Sequence, residues 1–269
     1  MSSTLRRVTV LAIIVLAGAG AYYGFHRQRA EPAKQTAITR PQTQTGTTQK
    51  PADKPPQQLG KPFDKAKYSI DAADSLWIVV NKQRPLQPAD YVPSNLVIPD
   101  IPLRSNITND EKYVRADNAK ALKTMVDAAA ADGIHLNLQS GYRSYKFQVN
   151  LYNLYVKQQG RALADSQSAR PGHSEHQTGL AADLGGTTNP GCNVEECFAD
   201  TPEGKWLGAN AYKYGYIIRY PQDKTAITGY TYEPWHVRYV GTYLSEEMHQ
   251  EGIETLEEFF GLPAAPDYH

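Results

Sequence analysis

Ser174-Glu175-His176-Gln177-Thr178-Gly179-Leu180-Ala181-Ala182-Asp183 is the stretch on which the reading of this chain turns. It holds a histidine and an aspartate two helical turns apart, so one continuous helix would put both on a common face. Thr178-Gly179 inside the stretch and Gly185-Gly186 just after it argue against a helix. The segment therefore reads as a loop that places His176, running into a buried strand over Leu180 to Leu184 that places Asp183. Further on, Glu233-Pro234-Trp235-His236 adds a carboxylate and a second imidazole. Two imidazoles and one carboxylate are the donor inventory of a catalytic zinc site, which keeps a position open for water. A further glutamate beside such a set can take that water's proton.

Working outward, Ala119, Leu122, Val126 and Ala129 recur at helical spacing and predict a helix over 115–132, ended by Gly133. Residues 134–139 alternate apolar and polar, which predicts a strand with His135 in its middle. That strand delivers Ser140-Gly141-Tyr142-Arg143 at its end. Residues 145–158 predict a second helix with Phe147, Leu151, Leu154 and Tyr155 as its apolar stripe. A polar loop through Arg170-Pro171-Gly172-His173 follows. Residues 75–81 read as an early strand, 201–214 as a third helix, 216–219 and 235–240 as strands, and two short helices finish near Phe260. Helices near the front and strands later argue an α+β fold with an antiparallel sheet. On a straight strand Glu233 and His236 would point to opposite faces, so a bend is expected at Pro234.

The whole chain has 269 residues, 41% of them hydrophobic, enough for one substantial domain. Lys plus Arg and Asp plus Glu both number 28, so the net charge is zero and the basic footprint of a nucleic-acid partner is missing. At the front, Arg6 and Arg7 precede an apolar run and then Ala17-Gly18-Ala19. Residues 1–26 thus fit a cleaved signal peptide or an uncleaved membrane anchor. Both readings put the rest outside the cytoplasm. Residues 27–62, rich in Pro, Gln and Thr, read as a disordered tether. The folded domain is expected over 63–262, with 263–269 as a tail. In an exported chain Cys192 and Cys197 read as a disulfide, and closing so short a loop contributes about 2 kcal/mol in the entropic account. The rival reading, a pair of metal thiolates, lacks matching partners.

Ser174-x-His176-x-x-Gly179-x-Ala181-x-Asp183, followed by Glu233-x-x-His236 and preceded by Ser140-x-Tyr142-Arg143, resembles the VanY-type D-alanyl-D-alanine carboxypeptidase family. That family belongs with the hedgehog-like zinc peptidases of bacterial cell-wall peptides, and the resemblance spans roughly Trp77 to Gly261. It implies a small antiparallel sheet flanked by helices, with Zn2+ held by His176, Asp183 and His236. It also implies Glu233 as general base and Arg143 facing the scissile carbonyl. Ser140, Tyr142, Gln148 and Ser174, polar and close to these motifs, are candidate substrate contacts. The implied activity is removal of the C-terminal D-alanine from peptidoglycan stem peptides at the D,D or the L,D bond, by a monomer at the bacterial cell wall. An endopeptidase of the same fold and a non-catalytic wall-binding module are the alternatives. The latter would typically have lost the base or the arginine, and both are present.

Overall fold

The computed structural model describes residues 62–269. The expected leader or anchor, and all of the tether but its last residue, lie outside the described residues. After the short pair β1 (Leu96–Val97) and β2 (Val114–Arg115) come helix α1 (Ala116–Ala131), strand β3 (Leu136–Ser140), and helices α2 (Tyr145–Gln159) and α3 (Arg161–Gln167). Strand β4 (Ala181–Gly186), helix α4 (Pro202–Asn210), strand β5 (Tyr216–Ile218), a single turn α5 (Thr225–Thr228), strand β6 (His236–Tyr239), and helices α6 (Thr242–Glu251) and α7 (Leu256–Phe260) complete the order. The four longer strands form one antiparallel sheet in the order β3-β4-β6-β5, as the α+β reading expects.

Alternation along the strands divides that sheet into two faces. One carries Leu136, Leu138, Leu184, Val237 and Tyr216 against Leu122, Met125 and Val126 of α1, and Trp206 and Leu207 of α4 close the same core. Trp235, partly buried, also packs on this core. The other face contributes Ile217 and Val240 to a second cluster with Leu244, Met248, Leu256 and Phe259 from the last two helices. Between these layers, towards β3, the second face holds the polar site.

Several expectations are corrected. Residues 75–81 form no strand beyond a single bridge between Asn81 and Arg84. Arginine side chains, not a sheet ladder, take three of its carbonyls: Arg238 donates to those of Leu76 and Ile78, and Arg84 to that of Val79. The stripe predicted on α2 is not its buried face. Gln148 and Tyr152 are buried, whereas Leu154 is 47% exposed. The loop expected after it contains α3, whose Asp165 receives the Tyr152 hydroxyl at 2.6 Å. His135 is exposed and precedes β3. The third helix stops at Asn210 and continues as a 3-10 turn to Tyr214. In the tail, expected outside the main domain span, the Ala265 amide donates to the Ile227 carbonyl at 2.7 Å and the Tyr268 hydroxyl accepts from the Arg170 amide at 2.8 Å. Cys192 and Cys197 form the expected disulfide.

Candidate metal centre

Pairing between β4 and β6 builds the site. Asp183 stands directly opposite His236 in the register, which puts both side chains on one face of the sheet. Ser140 joins the row through an irregularity in β3. Leu138 pairs with Leu184, but Ser140 rather than Gln139 pairs with Asp183, so one extra residue is accommodated. This bulge turns Ser140 from the core face to the site face. The displaced Gln139 carbonyl accepts from Arg104 Nε at 2.5 Å.

His176 arrives from the loop. Residues 175–178 form a 3-10 turn that ends at Gly179 in the left-handed region, φ 68°. Gly179 also abuts the Arg115 backbone, at 3.0 Å from where a Cβ would lie, so glycine serves both the turn and the close approach. The turn that was expected at Pro234 is present, closed by the His236 amide donating to the Glu233 carbonyl at 3.1 Å. It brings both side chains to the same side.

The resulting geometry is specific about which atoms face inward. His176 Nδ1 lies 2.6 Å from the Gly141 carbonyl, which can only accept, so Nδ1 carries the proton and Nε2 is the free lone pair. His176 Nε2 is 3.3 Å from Asp183 Oδ2, and His236 Nδ1 is 3.1 Å from Asp183 Oδ1. One donor atom each from His176, Asp183 and His236 falls within a common 4.8 Å, all three residues being buried. Asp183 Oδ1 has no hydrogen-bond donor of its own. A buried acceptor without a donor, between two imidazoles, suits a divalent cation, so the donor set fits a metal ion.

Charge around this set is unusual. Asp183, although buried, is held well below the ordinary carboxylate range by the neighbouring His176 and by Arg143, whose Nη2 sits 2.6 Å away. Burial and the same arginine push His176 down, keeping it neutral. His236 moves the other way, to about 9: burial opposes its charge, but Asp183 and Glu175 outweigh that. Burial lifts Glu233, 12% exposed and 3.5 Å from His236 Nδ1, to about 7.

Of the remaining expected residues, Ser140 Oγ accepts from Arg143 Nε at 2.9 Å. Tyr142 is buried at the end of β3, where loss of solvent and nearby Asp110 raise its hydroxyl. Ser174 is buried just before the turn that carries His176, where its carbonyl accepts from the Gln177 amide at 3.2 Å and its side chain makes no cap. Gln148 is committed inside the protein, donating to the Ala169 carbonyl and Ser168, although its Oε1 is buried without a partner. His173 stays outside the centre, its Nδ1 at 2.8 Å from the Asn81 carbonyl, as its place outside the motif implies. Sequence reasoning missed Glu175, Arg219 and Arg238, three fully buried charges behind His236. It also missed Tyr220, whose ring lies 4.9 Å from that of His236.

Comparison with known proteins agrees with this geometry. Residues 111–242 match the family VanY, D-alanyl-D-alanine carboxypeptidase. Putative carboxypeptidase YodJ of Bacillus subtilis is 46% identical over 192 residues, covering 71% of this chain and 69% of YodJ. The chain belongs to the VanY-type carboxypeptidase family. Among solved structures of VanY-like enzymes, the LdcB LD-carboxypeptidase is similar at 46% identity and a TM-score of 0.66, covering 70% of this chain and 87% of LdcB. The vancomycin-resistance D,D-pentapeptidase VanY, solved as a mutant in complex with Zn(II), is similar at 34% identity and a TM-score of 0.52, covering 68% and 97%. Within the VanY family this chain is thus a carboxypeptidase with a hedgehog-like peptidase fold.

Proposed function

We propose that this chain is a zinc-dependent L,D-carboxypeptidase that removes the C-terminal D-alanine from the tetrapeptide stem of peptidoglycan, outside the cytoplasm. The observation that carries the reading is the convergence of His176, Asp183 and His236 with Glu233 and Arg143 beside them. The preference for the L,D bond is supported by the higher identity and TM-score to LdcB than to the D,D-pentapeptidase.

His176 through Nε2, Asp183 through its carboxylate and His236 through Nδ1 would hold the ion. When bound, zinc supplies a Lewis acid that brings the pKa of a water towards ~7. Glu233, with a carboxyl near neutrality in the metal-free protein, is suited to accept the proton of the attacking water and pass it to the leaving amine of D-alanine. Water oxygen adds to the carbonyl carbon and the C–N bond breaks, giving a tripeptide carboxylate and free D-alanine. Arg143 carries a permanent positive charge beside Asp183, where it can stabilise negative charge developing on the carbonyl oxygen. Its Nε bond to Ser140 fixes its direction. Tyr142 and Ser174 are proposed to contact the substrate, and Gln148 to shape the loop around it through Ala169.

The test is mass spectrometry of tetrapeptide and pentapeptide stems after incubation with the purified protein, with and without a chelator. Chelator-sensitive release of one alanine from the tetrapeptide is expected. Release from the pentapeptide alone would assign a D,D-carboxypeptidase instead. Cleavage inside the stem would assign an endopeptidase, and no release from either peptide would leave a wall-binding module.

A further inference from the structure

Glu175 precedes one metal-site histidine in sequence, yet its side chain turns to the other. The carboxylate is fully buried, and its two oxygens are used differently. Oε1 is taken twice, by Arg219 Nε and by Arg238 Nη1, both at 2.8 Å. Oε2 receives no hydrogen bond and lies 3.7 Å from His236 Nε2, which has no hydrogen-bond partner either. A buried donor and a buried acceptor left unpaired each lose their hydration without return. A hydrogen bond between the two would satisfy both.

An ion-pair role alone does not account for this arrangement. Arg219 is already met by both oxygens of Glu257, at 2.9 and 2.8 Å. Arg238 is tied to the carbonyls of Leu76, Ile78 and Tyr239. Two arginines and two glutamates balance in charge, and a single oxygen of Glu175 serves both guanidiniums. That leaves the second oxygen for the imidazole.

We propose that Glu175 is a positioning residue of the metal centre: it accepts a hydrogen bond from His236 Nε2–H and so fixes the tautomer in which Nδ1 offers its lone pair to the ion. The proposal rests on the metal-site reading above and deepens it. His176 reaches a mirrored arrangement by another route, its Nδ1–H held by the neutral Gly141 carbonyl and its Nε2 turned inward. An anionic acceptor raises the basicity of an imidazole more than a carbonyl does, so the two histidines are unequal ligands.

Nitrogen-15 NMR of the zinc-loaded full chain tests this without a substitution. The expected result is His236 protonated at Nε2 and bound through Nδ1, with His176 the reverse. Binding of His236 through Nε2 would overturn the proposal. Glu175→Gln keeps the shape and an acceptor oxygen but removes the charge. It is expected to weaken zinc binding about 10–100-fold in competition with a chromophoric chelator, and to move the His236 Nε2–H proton upfield. Glu257→Gln breaks the same arginine network without touching His236. It is expected to lower the melting temperature and leave zinc affinity unchanged. Equal loss of affinity in both variants would make Glu175 a structural ion-pair partner only. If Glu175→Gln does not fold, the NMR result on the natural sequence decides. None of these readouts uses peptide cleavage, so zinc held in this manner by a chain that releases no D-alanine would overturn the proposed function and leave this inference standing.

Discussion

Glu233 has two separable consequences. As the proposed base, its replacement by Gln removes the proton carrier but no metal ligand, so kcat/KM is expected to fall by about 10²–10⁴ with zinc stoichiometry unchanged. Turnover within a few-fold of the natural chain would refute the assignment. The same residue bears on stability in the metal-free protein. Burial raises its carboxyl from 4.5 to about 7, so the folded chain holds that proton more tightly than the unfolded one does. The stabilisation is complete below 4.5 and is lost as pH rises through 7, by up to ~3 kcal/mol at 1.36 kcal/mol per unit. Metal-free Glu233→Gln should therefore outlast the metal-free natural chain at pH 8 and match it near pH 4. Urea melts at both values measure the difference. A gap that widened towards acid would contradict the burial argument.

Elements decide which residues meet, and here the sequence was only partly legible. The pairing of Asp183 with His236 follows from a loop, a strand and a turn, each announced by Gly179, Leu180-Ala181-Ala182 and Pro234. The false strand at 75–81 was apolar enough to deceive, because the carbonyls of Leu76 and Ile78 are met by the side chain of Arg238, distant in sequence, and not by a neighbouring strand. The α2 stripe misled for a related reason: hydrogen bonds of Gln148 and Tyr152, not apolar spacing, set which side of that helix faces inward. Arg238 did leave a signal, a charge flanked by Val237 and Tyr239 within the segment read as a strand. The bulge in β3 left none that alternation could register. Its effect is testable through Gly141, where a Cβ would sit 2.2 Å from the Tyr113 carbonyl oxygen and 2.9 Å from that of Glu111. Both are backbone atoms that cannot swing aside. Gly141→Ala is expected to cost about 1–3 kcal/mol and to weaken zinc binding, because the Gly141 carbonyl holds His176. Calorimetric melting and zinc titration of the variant measure both, and unchanged values would show that this corner is free to relax.

For the whole molecule, the sheet separates an apolar core on α1 and α4 from a face that carries charge, and the second face is closed by α6, α7 and the last residues. The charges there are not scattered. Arg219, Arg238, Glu175 and Glu257 form one neutral, buried group linking the residue after β5 to β6, the 3-10 turn of the centre and α7. Pairs at the rim, such as Arg170 with Asp165, remain partly open to solvent. Salt reaches the two classes differently: the screening length falls from about 8 Å at 0.15 M to about 3 Å at 1 M, but buried pairs are screened far less than exposed ones. An enzyme working outside the cytoplasm, as proposed here, meets whatever salinity its surroundings impose. Its metal centre is backed by charges the medium barely touches. Zinc retention is therefore expected to hold steady across a sodium chloride series, by dialysis and metal analysis, while the rim loosens. On this argument the arginine network would leave the centre tolerant of brine and of fresh water alike.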